Sequence, residues 1–217
     1  MVTRQNKTSA KIVQKLRAGT EKIILKEKIF QIITEYQRIY RQKVNFNSLW
    51  TYLRKSNYIR RILGDYYYVY SWKERADHYC QYSEEELIFL VLGLMKIKWY
   101  LGLERALQEH KISWQVLNRL PIINTHFSGL KRLGNSLFKF IKTGEKKCTF
   151  GLIKRKTNNQ VTYFYSDLEK THLDFLYFNS YLGKDIEIIR RQLDFKIRSN
   201  IVKRYARHYS KKLQKVL

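Results

Sequence analysis

Cysteine is nearly absent from this chain of 217 residues: only Cys80 and Cys148 occur, far apart and with no CxxC spacing. That argues against a disulfide framework and against a zinc site, and both are read as reduced cytoplasmic thiols. Long hydrophobic runs are missing too. The longest, Leu87 to Met95, falls well short of the roughly 20 residues that a membrane span needs. The start, MVTRQNKTSAKIVQKL, carries charge but no apolar segment of the signal-peptide kind. A soluble, cytoplasmic protein with no membrane partner is expected. Catalytic signatures are also lacking. His78, His110, His126, His172 and His208 are scattered without HxxxH or HExxH spacing, and there is no Gly-rich phosphate loop and no G-x-S-x-G elbow. No enzyme activity, cofactor or metal is therefore expected.

Acidic residues are the other scarcity. Eighteen Asp and Glu stand against 43 Lys and Arg, for a net charge of +25. A solubilising surface needs only about 2 to 8 charges, so a polyanion, nucleic acid above all, is the expected partner. The excess is uneven: +12 over residues 1–75, +5 over 76–183 and +8 over 184–217. Hydrophobic content of 44% is enough to fill a core.

The stretch from Asn45 to Ser71, NFNSLWTYLRKSNYIRRILGDYYYVYS, organises the first part of the chain. Phe46, Leu49, Trp50 and Leu53 fall at i, i+3, i+4 and i+7, the stripe of an amphipathic helix, with Asn45 as its N-cap. The opposite face holds Asn47, Ser48, Thr51, Tyr52 and Lys55, with Arg54 at its flank. YIRRIL and YYYVYS, joined by Gly64 and Asp65, read as a hairpin. Arg60 and Arg61 alternate in direction on its first strand, so one of the two is expected to face a duplex. Upstream, Ser9 to Arg17 reads as a short helix, EKIIL as a short strand, and Lys26 to Tyr40 as a second helix; residues 1–8 read as a polar tail. Helix, strand, helix, turn, helix and hairpin is the order of a winged helix-turn-helix over residues 1–72. A rival parse merges Thr20 to Gln42 into one helix.

Residues 73–83 read as a linker, followed by a C-terminal α+β domain over 84–217. Ser83 and Glu86 form a capping-box pattern ahead of the apolar helix ELIFLVLGLMKIKW. LERALQEH reads as a second helix, then PIINTHF, SLFKFI, CTFGLI and VTYFY as strands, with a turn at Asn158-Asn159. A further capping box, Ser166 with Glu169, opens another helix. Residues 184–217 read as two or three basic amphipathic helices, with Ile186, Ile189, Leu193, Ile197, Ile201, Val202, Tyr205 and Leu213 inward.

Two stretches carry a resemblance to a known family. One is Gly102, Leu103, Glu104, Ala106, Leu107 and His110 within KWYLGLERALQEHKI. The other is Asp167, Glu169, Lys170, Asp174 and Tyr177 within VTYFYSDLEKTHLDFLYF. Over roughly residues 10–210 the chain resembles the AbiEi family of antitoxins and transcriptional regulators. It departs from that pattern at Lys111, where glycine is usual, and at Asp167, where proline is common. The resemblance implies a repressor of its own operon that binds double-stranded DNA through its N-terminal winged helix. It also implies a nucleotidyltransferase-like toxin encoded nearby.

Chemistry gives the DNA reading its own support. Phosphate contacts position a protein and side chains in the major groove read bases. The candidate DNA-binding residues are Asn45, Asn47, Ser48, Thr51, Tyr52, Arg54, Lys55, Arg60 and Arg61. Tyr66, Tyr67, Tyr68 and Tyr70 offer the alternative of stacking on single-stranded bases or RNA, with alternate rings packed into a core as the plainer expectation. Glu169, Lys170, His172 and Asp174 resemble a nuclease cluster. The plainer account makes Glu169 a capping residue and Lys170 and Asp174 an i, i+4 ion pair at the surface or a domain interface.

Overall fold

Apolar side chains at helical spacing build the first three helices of the computed structural model, which describes residues 4–19, 21–41, 43–181, 183, 187–189, 193 and 195–214. The helices are α1 (Arg4–Ala18), α2 (Lys26–Tyr40) and α3 (Phe46–Lys55), with a short strand, β1 (Ile23–Leu25), between the first two. A hairpin of β2 (Ile59–Leu63) and β3 (Tyr66–Val69) follows. β1 pairs antiparallel with β3, Ile23 opposite Tyr68 and Leu25 opposite Tyr66, giving the sheet order β1-β3-β2. The backbone bonds of that pairing rule out the single helix over 20–42. Residues before Ser9, expected as a tail, are already helical from Arg4; Arg4 to Thr8 are all polar and carry no apolar period to announce it.

Ile12, Val13 and Leu16 of α1, Ile29, Ile33 and Tyr36 of α2, and Leu49 and Leu53 of α3 close on Ile24, Ile59, Tyr67 and Val69 of the sheet. β3, the central strand, is buried from both sides because successive side chains leave on opposite faces. Tyr67 turns into this core, its ring edge-on to Trp50 at 5.0 Å. Tyr68 faces the other way and donates its hydroxyl proton to Glu74. Gly64 opens the hairpin turn at a φ of +56°, which glycine adopts without strain, and a bulge between Arg61 and Leu63 shifts the register.

Residues 73–83 are not a linker. Ser71 caps a short helix, α4 (Trp72–Ala76), through a reciprocal box: Glu74 N–H donates to Ser71 Oγ at 3.2 Å and Ser71 N–H to Glu74 Oε2 at 2.7 Å. The Glu74 side chain is 2% exposed and also accepts from Gln81 N–H at 2.9 Å and Lys22 Nζ at 3.2 Å. The segment folds here because the buried Tyr68 hydroxyl and the donors around it need one acceptor. The chain divides later, into the units Met1–Val91 and Leu92–Leu217.

That division falls within α5 (Glu84–Leu94), which has the expected Ser83–Glu86 box and buries Leu87, Ile88, Phe89, Val91 and Leu92. The helix does not continue through KIKW. Lys96 turns left-handed at φ +53°, and β4 (Trp99–Leu101) begins a second sheet. With β5 (Leu120–Asn124), β6 (Gly129–Leu133), β7 (Ser136–Lys142), β8 (Leu152–Lys156) and β9 (Thr162–Ser166), it forms six strands in the order β6-β7-β5-β4-β9-β8. β5 lies parallel to β7 and β4 to β9; the other pairs are antiparallel. CTFGLI is not one strand: a 3-10 turn at Glu145–Cys148 precedes β8. The turn at residues 158–159 is present.

Helices of this unit include α6 (Leu103–Glu109), α7 (Leu168–Tyr181), α8 (Ser199–Ala206) and α9 (Lys211–Gln214). α7 packs against α6, α8 and β9. Leu173, Leu176, Val202, Ala206, Tyr209 and Leu213 join Tyr100, Leu103 and Ile123 in its core. Ile189 is buried as expected, whereas Ile186 lies outside the described residues. Gly102 lies close against the core where α6 leaves β4: a Cβ there would stand 2.4 Å from Ile123 Cδ1 and 3.2 Å from the Tyr100 ring, so a larger residue needs those side chains to shift. The architecture is α+β, and no helix among the described residues is long and apolar enough to cross a membrane.

Candidate nucleic-acid interface

α3 starts where Asn45 Oδ1 accepts the N–H of Ser48 at 3.1 Å, so the carboxamide oxygen of this candidate DNA contact is occupied by the cap. Leu49 and Leu53 are buried and Phe46 and Trp50 half-buried, and Phe30 stacks on Phe46 at 3.6 Å. Fixing that stripe turns Asn47, Ser48, Thr51, Arg54 and Lys55 outward, and all five are exposed. Among the described residues none of them makes a side-chain hydrogen bond or ion pair. Arg54 and Lys55 occupy the last turn, where the helix dipole favours cations.

The remaining candidates separate. Tyr52 is half-buried, its hydroxyl 3.5 Å from that of Tyr58 and the rings 5.6 Å apart. The hydrogen bond to Tyr58 and partial burial raise its pKa. Arg60 is half-buried and ion-paired with Glu84 at 3.5 Å. Arg61 is the exposed member of the pair, its Nε donating to Gly64 O at 2.7 Å and its guanidinium 4.0 Å from Asp65. Tyr67 and Tyr68 are buried, so two of the four hairpin tyrosines have no face open to a base.

Behind the C-terminal end of α3 stands a cluster that the sequence reading missed. Arg75 lies over the Tyr58 ring at 3.7 Å and Arg17 over the same ring at 5.1 Å. Arg17 also lies 3.9 Å from the centroid of Trp72. Backbone carbonyls hold both arginines: Arg17 Nε donates to Tyr70 O at 2.7 Å and Arg75 Nε to Ser56 O at 3.0 Å. Partial burial, then repulsion from Arg75, lower the pKa of Arg17. The available signal was Ser71-x-x-Glu74, a capping-box pattern that announces α4 and with it the placement of Trp72 and Arg75.

The polar group on α7 is a different object. Lys170 and Asp174 are an i, i+4 pair as expected, 3.4 Å apart, but both are fully buried and not at the surface. Tyr209 donates to Asp174 Oδ1 at 2.6 Å and Tyr100 to Oδ2 at 2.9 Å, while the ammonium lies over the rings of Tyr100 and Phe150 at 4.4 and 4.5 Å. Burial lowers the pKa of Lys170 against the opposing pull of Asp174. Glu169 does not complete a capping box. Asp167 is the cap, its Oδ1 accepting from Lys170 N–H at 2.7 Å, and Ser166 is the last residue of β9. Glu169 instead receives Arg198 Nε at 2.8 Å and Arg198 N–H at 3.1 Å, which holds its carboxyl below the usual range. His172 is buried near Phe195.

His110 ends α6, with its Nε2 at 2.9 Å from Ser166 O. Both cysteines are free thiols, and burial pushes Cys148 up to about 11. Among the described residues no three His, Cys, Asp or Glu side chains form a group able to hold a metal ion. No family model matches the chain, and no curated protein is significantly similar to it in sequence.

Proposed function

We propose that this chain is a sequence-specific, duplex-DNA-binding transcriptional regulator whose first unit acts as a winged helix-turn-helix, with α3 as recognition helix and β2-β3 as wing. The observation that carries the reading is the outward face of α3. Five polar or cationic side chains are exposed there and, among the described residues, make no side-chain hydrogen bond or ion pair, on a helix whose other face is fixed in the core. An α-helix of this kind fits the major groove, where Asn pairs with adenine, Arg or Lys with guanine, and Ser or Thr with several base edges. A net charge of +25 supplies the sequence-independent attraction that precedes reading. Arg61 on the exposed side of the hairpin suits a phosphate contact. The two motifs near Gly102 and Asp167 extend the proposal to an AbiEi-type antitoxin that represses its own operon beside a nucleotidyltransferase-like toxin. It acts in the cytoplasm as a binding protein and not as an enzyme.

The test is fluorescence anisotropy of the full chain against its own upstream duplex, a scrambled duplex and a single strand of equal length across a salt series. All three bind at low salt, because the charge alone ensures it. Retention of the upstream duplex alone near physiological ionic strength is the expected result. Preference for the single strand, or equal loss of all three, refutes the proposal.

A further inference from the structure

We infer that Arg75, with the hydroxyls of Tyr52 and Tyr58, forms a phosphate-binding site for the duplex backbone beside the C-terminal end of α3. The inference rests on the DNA-binding reading and adds to it Arg75, which lies on α4 and so outside both the recognition helix and the hairpin.

Every element of the cluster offers donors. Of the Arg75 guanidinium only Nε has a partner among the described residues, the carbonyl of Ser56 at α3's C-cap. Its two terminal nitrogens are left for the parallel fork that guanidinium makes with a phosphate. Stacking on Tyr58 at 3.7 Å and the bond to Ser56 O fix the plane of that fork in advance. The paired hydroxyls of Tyr52 and Tyr58 lie 3.5 Å apart. Tyr52 sits on α3 one residue after Thr51 and three before Lys55, which puts the site next to the proposed reading face.

The charge balance points the same way. Arg17 and Arg75 share one tyrosine ring, and their bonded partners are backbone carbonyls, so among the described residues two cations stand together with no carboxylate bonded to either. Glu74, whose charge acts on Arg17, is occupied by Tyr68, Ser71, Gln81 and Lys22. Arg17 Nη1 is shielded from water without any acceptor. A phosphate on the outer side of Arg75 offsets the repulsion between the two guanidiniums. Trp72, 56% exposed, borders the pair and limits the water that competes for it.

The experiment measures the salt dependence of duplex affinity by anisotropy for the full chain and for Arg75→Gln, Arg75→Lys, Tyr52→Phe and Lys28→Gln. Lys28 is the charge control, an exposed α2 cation already paired with Glu21 at 2.6 Å. Losing one phosphate contact lowers the slope of log K against log salt by about 0.9, so the gap between Arg75→Gln and the parent narrows about 3- to 4-fold from 50 to 200 mM salt. Arg75→Lys, which keeps the charge and loses the fork, retains the slope and binds more weakly. Tyr52→Phe weakens all duplexes alike at unchanged slope. These two variants keep the test decisive should Arg75→Gln fold poorly. A slope for Arg75→Gln equal to that of Lys28→Gln, or full parental affinity in both Arg75→Lys and Tyr52→Phe, overturns the site while leaving the DNA reading standing. A parent chain without preference for duplex overturns both.

Discussion

Glu74→Gln isolates the device that folds α4 onto the first unit. The carboxylate of Glu74 accepts from Tyr68 O–H and Gln81 N–H on Oε1, and from Ser71 N–H and Lys22 Nζ on Oε2. Glutamine keeps one acceptor. If that oxygen stays with Tyr68 and Gln81, the new NH2 group meets the N–H of Ser71 and the ammonium of Lys22, donor against donor. A buried hydrogen bond to a charged group contributes about 1.5 to 3 kcal/mol, and a stranded donor costs about 1 to 3 kcal/mol, so a loss of about 2 to 4 kcal/mol is expected. The pH dependence gives a second measure. Burial alone pushes the Glu74 carboxyl up, but bonds from Tyr68, Gln81 and Ser71 outweigh it and hold the pKa at about 2 against the ordinary 4.5. A folded-state pKa below the unfolded one means that the unfolded chain takes up the proton first. The stabilisation is therefore complete above about pH 4.5 and is lost as pH falls toward 2. At about 1.36 kcal/mol per unit the loss is about 3 kcal/mol. Native-state hydrogen exchange of the β3 amides between pH 6 and 3 reads the first unit separately. The parent should lose protection as pH falls, and Glu74→Gln should start lower and change less. Equal protection in the two proteins at pH 6, or parallel pH profiles, refutes the clamp.

Further outcomes follow from the same kind of reasoning. Asp174→Ala strands the Lys170 ammonium and two tyrosine hydroxyls in the second core and should cost about 3 to 5 kcal/mol in urea unfolding, whereas Lys170→Met with Asp174→Leu should recover the part due to the buried charge; a loss below 1 kcal/mol in the single variant contradicts the burial. Burial, with Asp174 beside them, holds the phenols of Tyr100 and Tyr209 well above their ordinary 10, so their contribution is complete below pH 10 and is lost as pH rises past it. Lys170, lowered by burial, has the opposite sign, and thermal unfolding of Tyr209→Phe should therefore fall less steeply than the parent's from pH 9 to 11. Asn47→Ala with Thr51→Ala should relax discrimination between the upstream and scrambled duplexes by about 1 to 3 kcal/mol per lost base contact. Unchanged discrimination in that double variant removes α3 from the reading role.

What was legible in the sequence was local. Phe46, Leu49, Trp50 and Leu53 repeat within one helix, Asn45 caps it from one residue away, and Gly64-Asp65 joins two strands that are neighbours in the chain; α3 and its hairpin stand where those signals put them. β4 is three residues long, and its first residue, Trp99, closes the stretch ELIFLVLGLMKIKW that reads as one helix, so no separate strand is announced there. β6, with GLKRL on a sheet edge, is largely exposed and basic, and a strand with only one neighbour has little apolar alternation to show. The segment after Ser71 read as a linker because its charge is conspicuous, while the acceptor role of Glu74 depends on Tyr68, which only the sheet brings near.

α7 shows the limit most sharply. Its run from Glu169 to Leu176 is buried on every side although it contains Glu, Lys, Thr, His and Asp, and by polarity such a segment belongs at a surface. The partners that make burial tolerable come from four distant places: Tyr100 on β4, Phe150 before β8, Tyr209 just past α8 and Arg198 just ahead of it. Glu169, Lys170 and Asp174 thus specify which elements stand beside α7, since an apolar replacement packs in several ways but Asp174 is satisfied only where two hydroxyls and an ammonium meet it. The spacing of Glu169, Lys170 and Asp174 that suggested chemistry on paper records this requirement of fit. The residues proposed to meet DNA have the reverse property: among the described residues, Asn47, Thr51 and Lys55 make no side-chain hydrogen bond or ion pair, so nothing described there fixes their side chains to one neighbour.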